Sequence, residues 1–441
     1  MNGRIPAALR SGGARRARWG IVDQVVSSVT NFAIVLVAAR EATPREFGVF
    51  SLALALYIFL LWVGRSLVAE PFVVRHGATP PAGRREAAQA AVGAAVAVGL
   101  ASAVVLLVIA ALWRSSGGVL FAMALAMPGA LVQDAYRYVL IADGRARAAA
   151  GNDSVWFAVQ LVAVVILLAV GRASATNLTV AFAVGAGCAA FVASRQAGVG
   201  PRPTVWRQWL RDHGDLGVPF LLELVSVNGT TQLTLVGLGA VAGVVAVGEL
   251  RAATLLFGPA MVLFAGVFLI GMTEGVRMRS HSPDRLATLV VGLATVTSLA
   301  TLAWGVTVAL LPDGVGTAVI GDHWRTARRL VAPVALLTAA NACILAVGVG
   351  LRALAAARSS LRARLWSAPV VLVAGLVGAG VGDAEGAAVG LAGASWFGAV
   401  LAGLAFRHAL ARERDGGTPD AAEARITPLE LGDPTIPLGH T

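Results

Sequence analysis

Long apolar runs alternate with short polar turns along most of the chain. The first two runs lie within residues 19–75, where each is long enough to cross a bilayer and a turn with Pro44 and Gly48 joins them. Lipid offers the backbone no hydrogen-bond partners, so an apolar run of this length must satisfy its own backbone groups as a helix. The pattern therefore predicts an all-α polytopic membrane protein.

The same pattern divides the chain into two groups of six spans. The twelve predicted spans lie near residues 19–39, 47–72, 87–112, 118–141, 153–171, 177–197, 216–239, 246–272, 286–311, 329–351, 366–383 and 387–407. The predicted organisation is a basic cytoplasmic arm (1–18), an N-terminal six-helix lobe (19–197), a cytoplasmic linker (198–215), a C-terminal six-helix lobe (216–408) and a disordered cytoplasmic tail (409–441). Between spans 9 and 10 we also expect a short interfacial element around His323 and Trp324.

The composition agrees with a membrane protein, and the charges indicate an orientation. The chain of 441 residues is 57% hydrophobic and 13% charged, unlike a soluble domain. Its 35 basic residues are all Arg, with a formal net charge of +11, but they lie in short loops rather than in a patch for nucleic acid. With the N-terminus inside, 25 Arg fall on the cytoplasmic side and 7 in outer loops, which predicts that both termini are cytoplasmic.

Several features of the sequence argue against an enzyme. The loops are too short for a soluble catalytic domain, the P-loop type of phosphate-binding sequence is missing, and the His residues lack metal-ligand spacing. Cys188 and Cys343 lie far apart within apolar runs, as small core residues do. We therefore expect no enzymatic activity, no metal and no cofactor.

The two halves of the chain resemble each other at a constant shift of 200 residues. Because each half has six spans, both halves start on the same side of the membrane. The predicted relation is a pseudo-two-fold axis along the membrane normal, as in several transporter folds. The matched pairs are Asp23 with Glu223, Thr30 with Thr230, and Gly48 with Gly248.

Spans 1 and 7 each carry polar residues at helical spacing. A polar stripe on an otherwise apolar helix should face away from lipid, so these two helices are candidates to line a cavity between the lobes. The alternative for the hydroxyl groups is that they only hold neighbouring helices together. The stripes are Asp23, Ser27, Thr30 and Asn31 on span 1, and Glu223, Ser226, Thr230, Thr231 and Thr234 on span 7.

The opening of the chain resembles a known family. The segments WGIVDQVVSSVTNFAIVLVAAR, PREFGVF and RSLVAEPFVVR within 19–75 look like the start of Wzx-type polysaccharide flippases of the multidrug/oligosaccharidyl-lipid/polysaccharide (MOP) exporter superfamily. The resemblance implies a MATE-like pair of six-helix bundles in the bacterial inner membrane. It also implies translocation of an undecaprenyl-pyrophosphate-linked oligosaccharide by alternating access, among membrane lipids and with polysaccharide assembly proteins as partners.

For such a cargo the candidate binding residues are polar groups at membrane depth. Arg65 and Arg137 could hold the pyrophosphate, because a guanidinium keeps its charge and donates several hydrogen bonds. Arg65 could instead form a structural ion pair or extend to the interface, and Arg137 could be neutralised by Asp134 three residues earlier. The remaining candidates for cargo contact are Asn31, Thr230 and Thr231.

Acidic residues near a cavity could couple transport to a gradient of H⁺ or Na⁺. The candidates are Asp23, Glu223 and Asp134, since an intramembrane carboxylate is expensive unless it has a function or a partner. The alternative for each is hydrogen bonding near the interface.

Other functions stay open at this stage. A drug exporter or a peptidoglycan-precursor exporter of the same superfamily is the nearest alternative, and an acidic cavity would favour cationic drugs. A membrane glycan polymerase or ligase is less favoured, because the longest outer segment, around 312–328, is short. A scaffold in a polysaccharide assembly complex would need no intramembrane charges.

Overall fold

The computed structural model describes residues 34–77, 79–113, 117–225, 229–279, 282–354 and 356–414, and within them all regular structure is helical. The all-α fold is thus confirmed. Asp23, Asn31, the predicted arm and the predicted tail beyond Arg414 lie outside the described residues.

Helices account for nearly all of the described chain. The first lobe contains α1 to α6, α7 lies in the linker, and the second lobe contains α8 to α15. Their bounds are α1 34–41, α2 Pro44–His76, α3 Pro81–Leu112, α4 Gly117–Ala142, α5 Ala146–Ala169, α6 Ala175–Ala197, α7 Trp206–Asp212, α8 Gly214–Leu224, α9 Thr230–Val241, α10 Gly243–Leu255, α11 Gly258–Arg279, α12 Pro283–Ala309, α13 Asp313–Ile320, α14 Trp324–Ala353 and α15 Ala357–Arg414.

Among the described residues, 8 helical segments are long and apolar enough to cross a membrane, which makes this a multi-pass membrane protein. The difference from twelve predicted spans has a structural explanation. Most of span 1 lies outside the described residues, and span 7 is divided between α8 and α9. Span 8 is divided between α10 and α11, and many side chains of α11 lie outside the description. Spans 11 and 12 are counted together, as the two arms of α15.

The two arms of α15 meet at a tight turn. Gly382 and Asp383 have non-helical backbone angles, and Asp383 has a positive φ of 49°. The predicted boundary between spans 11 and 12 lies at this turn. The second arm continues to Arg414, so residues 409–414, which were assigned to the tail, are helical. Before span 10 the chain forms the short helix α13, which ends at Ile320, whereas His323 lies in the 3-10 turn that follows and Trp324 begins α14.

The lobes share a hydrophobic core at one end of the molecule only. The shared core contains Phe50 and Met127 of the first lobe together with Val247, Trp324 and Ala387 of the second lobe. At the opposite end, which we call the linker end, each lobe has its own core. The lobes are therefore joined at one end and separately packed at the other.

The equivalent glycines of the two halves contact each other at the shared-core end. A Cβ on Gly48 would lie 1.8 Å from the Val244 carbonyl oxygen, and one on Gly248 would lie 3.0 Å from the Gly48 Cα. Only residues without a side chain allow α2 and α10 to cross this closely. Contact between equivalent residues is what a pseudo-two-fold axis between the lobes requires. On the same end, Arg40 Nη1 donates to the Ala318 carbonyl oxygen at 3.2 Å.

Candidate functional site: an ion-pair cluster inside the first lobe

Arg65 lies at a local widening of helix α2. Residues Arg65–Ala69 form a π-helical turn, a feature often found at functional sites. Just before it, Gly64 lies against helix α4, since a Cβ there would be 2.7 Å from Leu131 Cδ2. The missing side chain lets α2 approach α4, and the wide turn directs Arg65 toward the same helix.

Arg65 forms a two-pronged ion pair with Asp134 of α4. Its Nε donates to Asp134 Oδ2 at 2.8 Å, and its Nη2 donates to Oδ1 at 2.7 Å. The Asp134 side chain is 7% exposed and that of Arg65 is 25% exposed. Such planar bidentate geometry is among the strongest arrangements open to an Arg and a carboxylate. It uses two of the five N–H donors of the guanidinium.

Arg137 extends the cluster toward helix α5. Its Nη1 lies 3.9 Å from Asp134 Oδ1, and its Nε lies 3.5 Å from Asp153 Oδ2. Arg137 therefore bridges two carboxylates, as well as sharing Asp134 with Arg65. The neutralisation of Arg137 by Asp134 that the sequence suggested is present, but it is the weaker of the two Asp134 contacts.

Two buried amides complete the network. Gln133 Nε2 donates to Asn152 Oδ1 at 2.9 Å and to Asp153 Oδ1 at 2.7 Å. Asn152 Nδ2 in turn donates to the Ala189 carbonyl oxygen at 2.8 Å. These bonds fix Asp153 from the side opposite Arg137. The cluster of Arg65, Gln133, Asp134, Arg137, Asn152 and Asp153 thus joins α2, α4 and α5 and is anchored to α6.

The cluster carries two positive and two negative side chains at a depth where charge is costly. Such a balanced group is stable while closed, since each charge has a partner. It also responds to any change that removes one charge. A proton on a carboxylate would free the guanidinium that is paired with it. An anion bound to a guanidinium would free the carboxylate. The arrangement is therefore suited to exchange partners rather than to perform covalent chemistry.

The second lobe shows no equivalent cluster among its described residues. The Glu223 side chain lies outside the description. Residues Val225 and Gly229 are π-helical, and the three residues between them lie outside the description. Thr231 is exposed, whereas Thr234 is buried near Gly375, where a Cβ would be 2.6 Å from Thr234 Cγ2. Thr234 is thus a packing residue inside the lobe, which agrees with the alternative of hydroxyls that hold helices together.

Three members of the cluster were missed by the sequence analysis: Gln133, Asn152 and Asp153. Span 5 was predicted to begin at 153, which placed Asn152 and Asp153 at the membrane edge. Helix α5 in fact begins at Ala146, so both residues lie within it and are buried. The signal available in the sequence was the adjacent amide and carboxylate in AGNDS, next to an otherwise apolar run.

A second group of polar residues links the lobes at the linker end. His213 stacks on Trp209 with ring centroids 3.7 Å apart, and its Nε2 lies 3.2 Å from Nε2 of His76. Arg75 pairs with the Asp215 carboxylate and donates to the Asp212 carbonyl oxygen. This junction connects the end of α2 to the start of the second lobe.

Solved structures identify the fold. No family model matches the sequence, and no curated protein matches it. An inward-facing multidrug-resistance MATE family transporter of the MOP superfamily matches 90% of this chain and 99% of its own, with TM-score 0.70 and 13% identity. The lipid II flippase MurJ in an inward closed conformation matches 90% of this chain and 91% of its own, with TM-score 0.70 and 10% identity. An outward-facing MATE family transporter has TM-score 0.54 and 15% identity over 91% of this chain and 95% of its own. The chain therefore has a MATE-like fold.

Proposed function

We propose that this protein is a secondary flippase that moves an undecaprenyl-pyrophosphate-linked oligosaccharide across the bacterial inner membrane by alternating access. The observation that carries the proposal is the Arg65–Asp134 pair, an exchangeable guanidinium within a MATE-like fold. The Wzx-type resemblance of residues 19–75 supplies the cargo class. Both termini are proposed to be cytoplasmic, with polysaccharide assembly proteins as partners.

The proposed mechanism is a competition for Arg65. In the empty state the two carboxylate oxygens of Asp134 accept the hydrogen bonds from Arg65 Nε and Nη2. The pyrophosphate of the cargo offers similar oxygen geometry and more charge, so it can replace the carboxylate at the same donors. Arg137 would then assist the cargo, since it stands between Asp134 and Asp153. A proton or Na⁺ taken up by Asp134 would compensate the charge of the displaced carboxylate and couple transport to an ion gradient.

Two further acids, Asp23 and Glu223, remain candidates for this coupling role. The remaining candidates for contact with the cargo are Asn31, Thr230 and Thr231.

The distribution of the cores supports alternating access. One core joins the lobes at a single end, whereas the linker end has two cores that can separate without exposing either. With the predicted orientation, this state faces the cytoplasm. The higher TM-score to the inward-facing than to the outward-facing MATE transporter agrees with that orientation.

The test is export measured against protein level. Arg65→Ala should abolish surface polysaccharide while the protein still inserts. Arg65→Lys should retain only part of the export, because an ammonium is a point charge and cannot form the two parallel hydrogen bonds of a guanidinium.

Asp134→Asn should insert normally but export slowly, since Arg65 would hold the cargo without a competitor. Arg211→Ala, at an exposed position outside the cluster, is the matched control. Normal export by a well-expressed Arg65→Ala protein would exclude the proposed role of Arg65.

A second candidate is a flippase for the lipid-linked peptidoglycan precursor. The observation in its favour is the fold shared with a lipid II flippase over 90% of this chain. Depletion of the protein separates the two candidates, because loss of a precursor flippase stops wall synthesis and growth. Loss of surface polysaccharide with normal growth would favour the oligosaccharide cargo.

A further inference from the structure

The two arms of α15 separate toward the linker end and leave a cleft between them. Near the turn the arms touch through backbone, since a Cβ on Gly386 would lie 2.1 Å from the Gly378 carbonyl oxygen and one on Gly390 would lie 2.1 Å from that of Ala374. Further along, a Cβ on Gly398 would lie 3.3 Å from the side-chain Cβ of Ser367 rather than against backbone, so the arms are farther apart there. The resulting cleft has a volume of about 330 Å³.

The lining of this cleft combines cations, other polar groups and one large aromatic ring. Each arm contributes one helical face, because the lining positions recur at intervals of three and four. The lining residues are Ser359, Arg362, Ala363 and Trp366 from the first arm, and Leu401, Ala405, His408, Ala409 and Arg412 from the second. Two guanidinium groups from different helices therefore converge on one space.

The cations of the cleft are not neutralised by the protein. Within the part of the chain that the structure describes, the side chains of Arg362, His408 and Arg412 form no ion pair or hydrogen bond. The neighbouring acid Glu413 is already bonded to Arg279, with Oε1 at 2.8 Å from Nε. A free guanidinium pair in a cleft attracts an anion with several acceptor oxygens.

An apolar surface continues from the cleft along the first arm. Trp366 is 74% exposed, and exposed valines follow it at helical spacing, with Val373 at 58% and Val377 at 61%. In a membrane this stripe faces acyl chains, while an exposed Trp favours the level of the headgroups. The cleft and the adjoining stripe thus match the two parts of a phospholipid, with charged groups at the level of the headgroup and apolar groups along the acyl chains.

We propose that this cleft binds the phosphodiester headgroup of an anionic phospholipid, with Arg362 and Arg412 on the phosphate oxygens and the acyl chains along the Trp366 stripe. Basic pockets between membrane helices are a common way to hold such headgroups. The site is separate from the Arg65 cluster, so it does not depend on the proposed cargo. A bound lipid would bridge the two arms across the cleft and would stabilise the end of the second lobe.

The experiment is native mass spectrometry of the full-length protein titrated with phosphatidylglycerol or phosphatidylcholine. Wild type should retain phosphatidylglycerol in preference to phosphatidylcholine. The double variant Arg362→Gln/Arg412→Gln should bind phosphatidylglycerol roughly thirtyfold more weakly, since each basic residue near an anionic headgroup contributes about a factor of five. Arg407→Gln is the matched control, because Arg407 is exposed on the same arm and does not line the cleft.

Further measurements separate the source of the phosphate and the occupant. Glycerol phosphate should bind far more weakly than phosphatidylglycerol, because it lacks acyl chains, and equal binding would overturn the lipid assignment.

Residues 415–441 carry five acids and one Arg, so a peptide of this sequence is the competing occupant of the cleft. Displacement of phosphatidylglycerol by that peptide at similar concentration would contradict the proposal. Equal lipid binding by the double variant and by Arg407→Gln would also contradict it, as would a lack of preference over phosphatidylcholine.

Discussion

At the scale of single residues, Asp134 depends on Arg65 for its charge. A carboxylate that is 7% exposed has little water to solvate it, so loss of its cation leaves an unpaired charge inside the lobe. Arg65→Ala should therefore lower the free energy of unfolding by roughly 3 kcal/mol, the low end for a buried pair because Arg65 is partly exposed. Arg65→Ala/Asp134→Asn should recover most of this loss. Thermal unfolding in detergent measures both, with Arg211→Ala as control. An unchanged melting temperature for Arg65→Ala would contradict this dependence.

The sequence alone indicated that Arg65 needed a partner but not which one. The structure selects Asp134 on α4 as that partner. The choice depends on how closely α2 approaches α4, and Gly64 against Leu131 sets that approach. A charge at membrane depth can be recognised along a chain, but its neighbour is decided by packing between helices.

His213 should make the junction between the lobes sensitive to acid. Its Nδ1 donates to the Trp209 carbonyl oxygen at 3.1 Å, so Nε2 of the neutral ring must accept the proton of His76 Nε2. Burial and the nearby Arg75 charge lower the pKa of His213 below 6.5, against the opposing effect of the Trp209 carbonyl and of Asp212 and Asp215. Because the folded state prefers the neutral ring, the stabilisation is present above that value and is lost as the pH falls below it.

Hydrogen exchange of residues 206–224 measures this loss. Between about pH 7.5 and pH 5.5, exchange corrected for its intrinsic pH dependence should increase in wild type. His213→Gln, which cannot gain a proton, should show little further change over the same interval. An equal increase in the variant would assign the effect to another group.

At the scale of elements, apolar runs predicted where helices lie but not how they are interrupted. Span 8 breaks at Leu256 and Phe257, and Pro259 is the second residue of the next helix, where proline is tolerated while it disfavours a helix that continues from before it. The π-helical turn at Arg65–Ala69 has no such signal, because one additional residue in a uniform apolar run leaves no mark on its composition. Between α8 and α9, Val225 and Gly229 are also π-helical, and no feature of the sequence indicated it.

The crossing of α2 over α10 should tolerate no side chain at Gly48. The nearest atom to a new Cβ is the Val244 carbonyl oxygen at 1.8 Å, which belongs to the backbone and cannot rotate away. Gly48→Ala should therefore force the lobes apart at the shared-core end and lower the melting temperature. Gly151→Ala is the control, because its Cβ would meet nothing within 4 Å and Ala stabilises a helix by about 0.5–1 kcal/mol relative to Gly. Equal melting temperatures for the two variants would refute the close crossing.

At the scale of the whole molecule, the proposed transport requires the shared-core end to open. The lobes meet there through Gly48 with Val244 and through Arg40 with Ala318. At the linker end, Arg75 pairs with Asp215, and a Cβ on Gly217 would lie 3.5 Å from Leu67 Cα. The repeat in the sequence predicted two equivalent lobes and matched Gly48 with Gly248, but it did not predict that these glycines meet. It could not show which end is closed, because both states of the proposed alternating-access cycle use the same sequence.

A cross-link across the shared-core end should therefore stop export. Arg40 and Ala318 are exposed and in contact, so Arg40→Cys/Ala318→Cys can be joined by a short cleavable dithiol reagent, in a background where Cys188 and Cys343 are Ser. The linked protein should retain its fold but lose surface polysaccharide export, and reductant should restore it. The control is Arg279→Cys/Glu413→Cys, which replaces an ion pair within the second lobe and should leave export intact when linked, since a lobe moves as one unit. Export that continued with the lobes joined at 40 and 318 would show that this end does not open during transport.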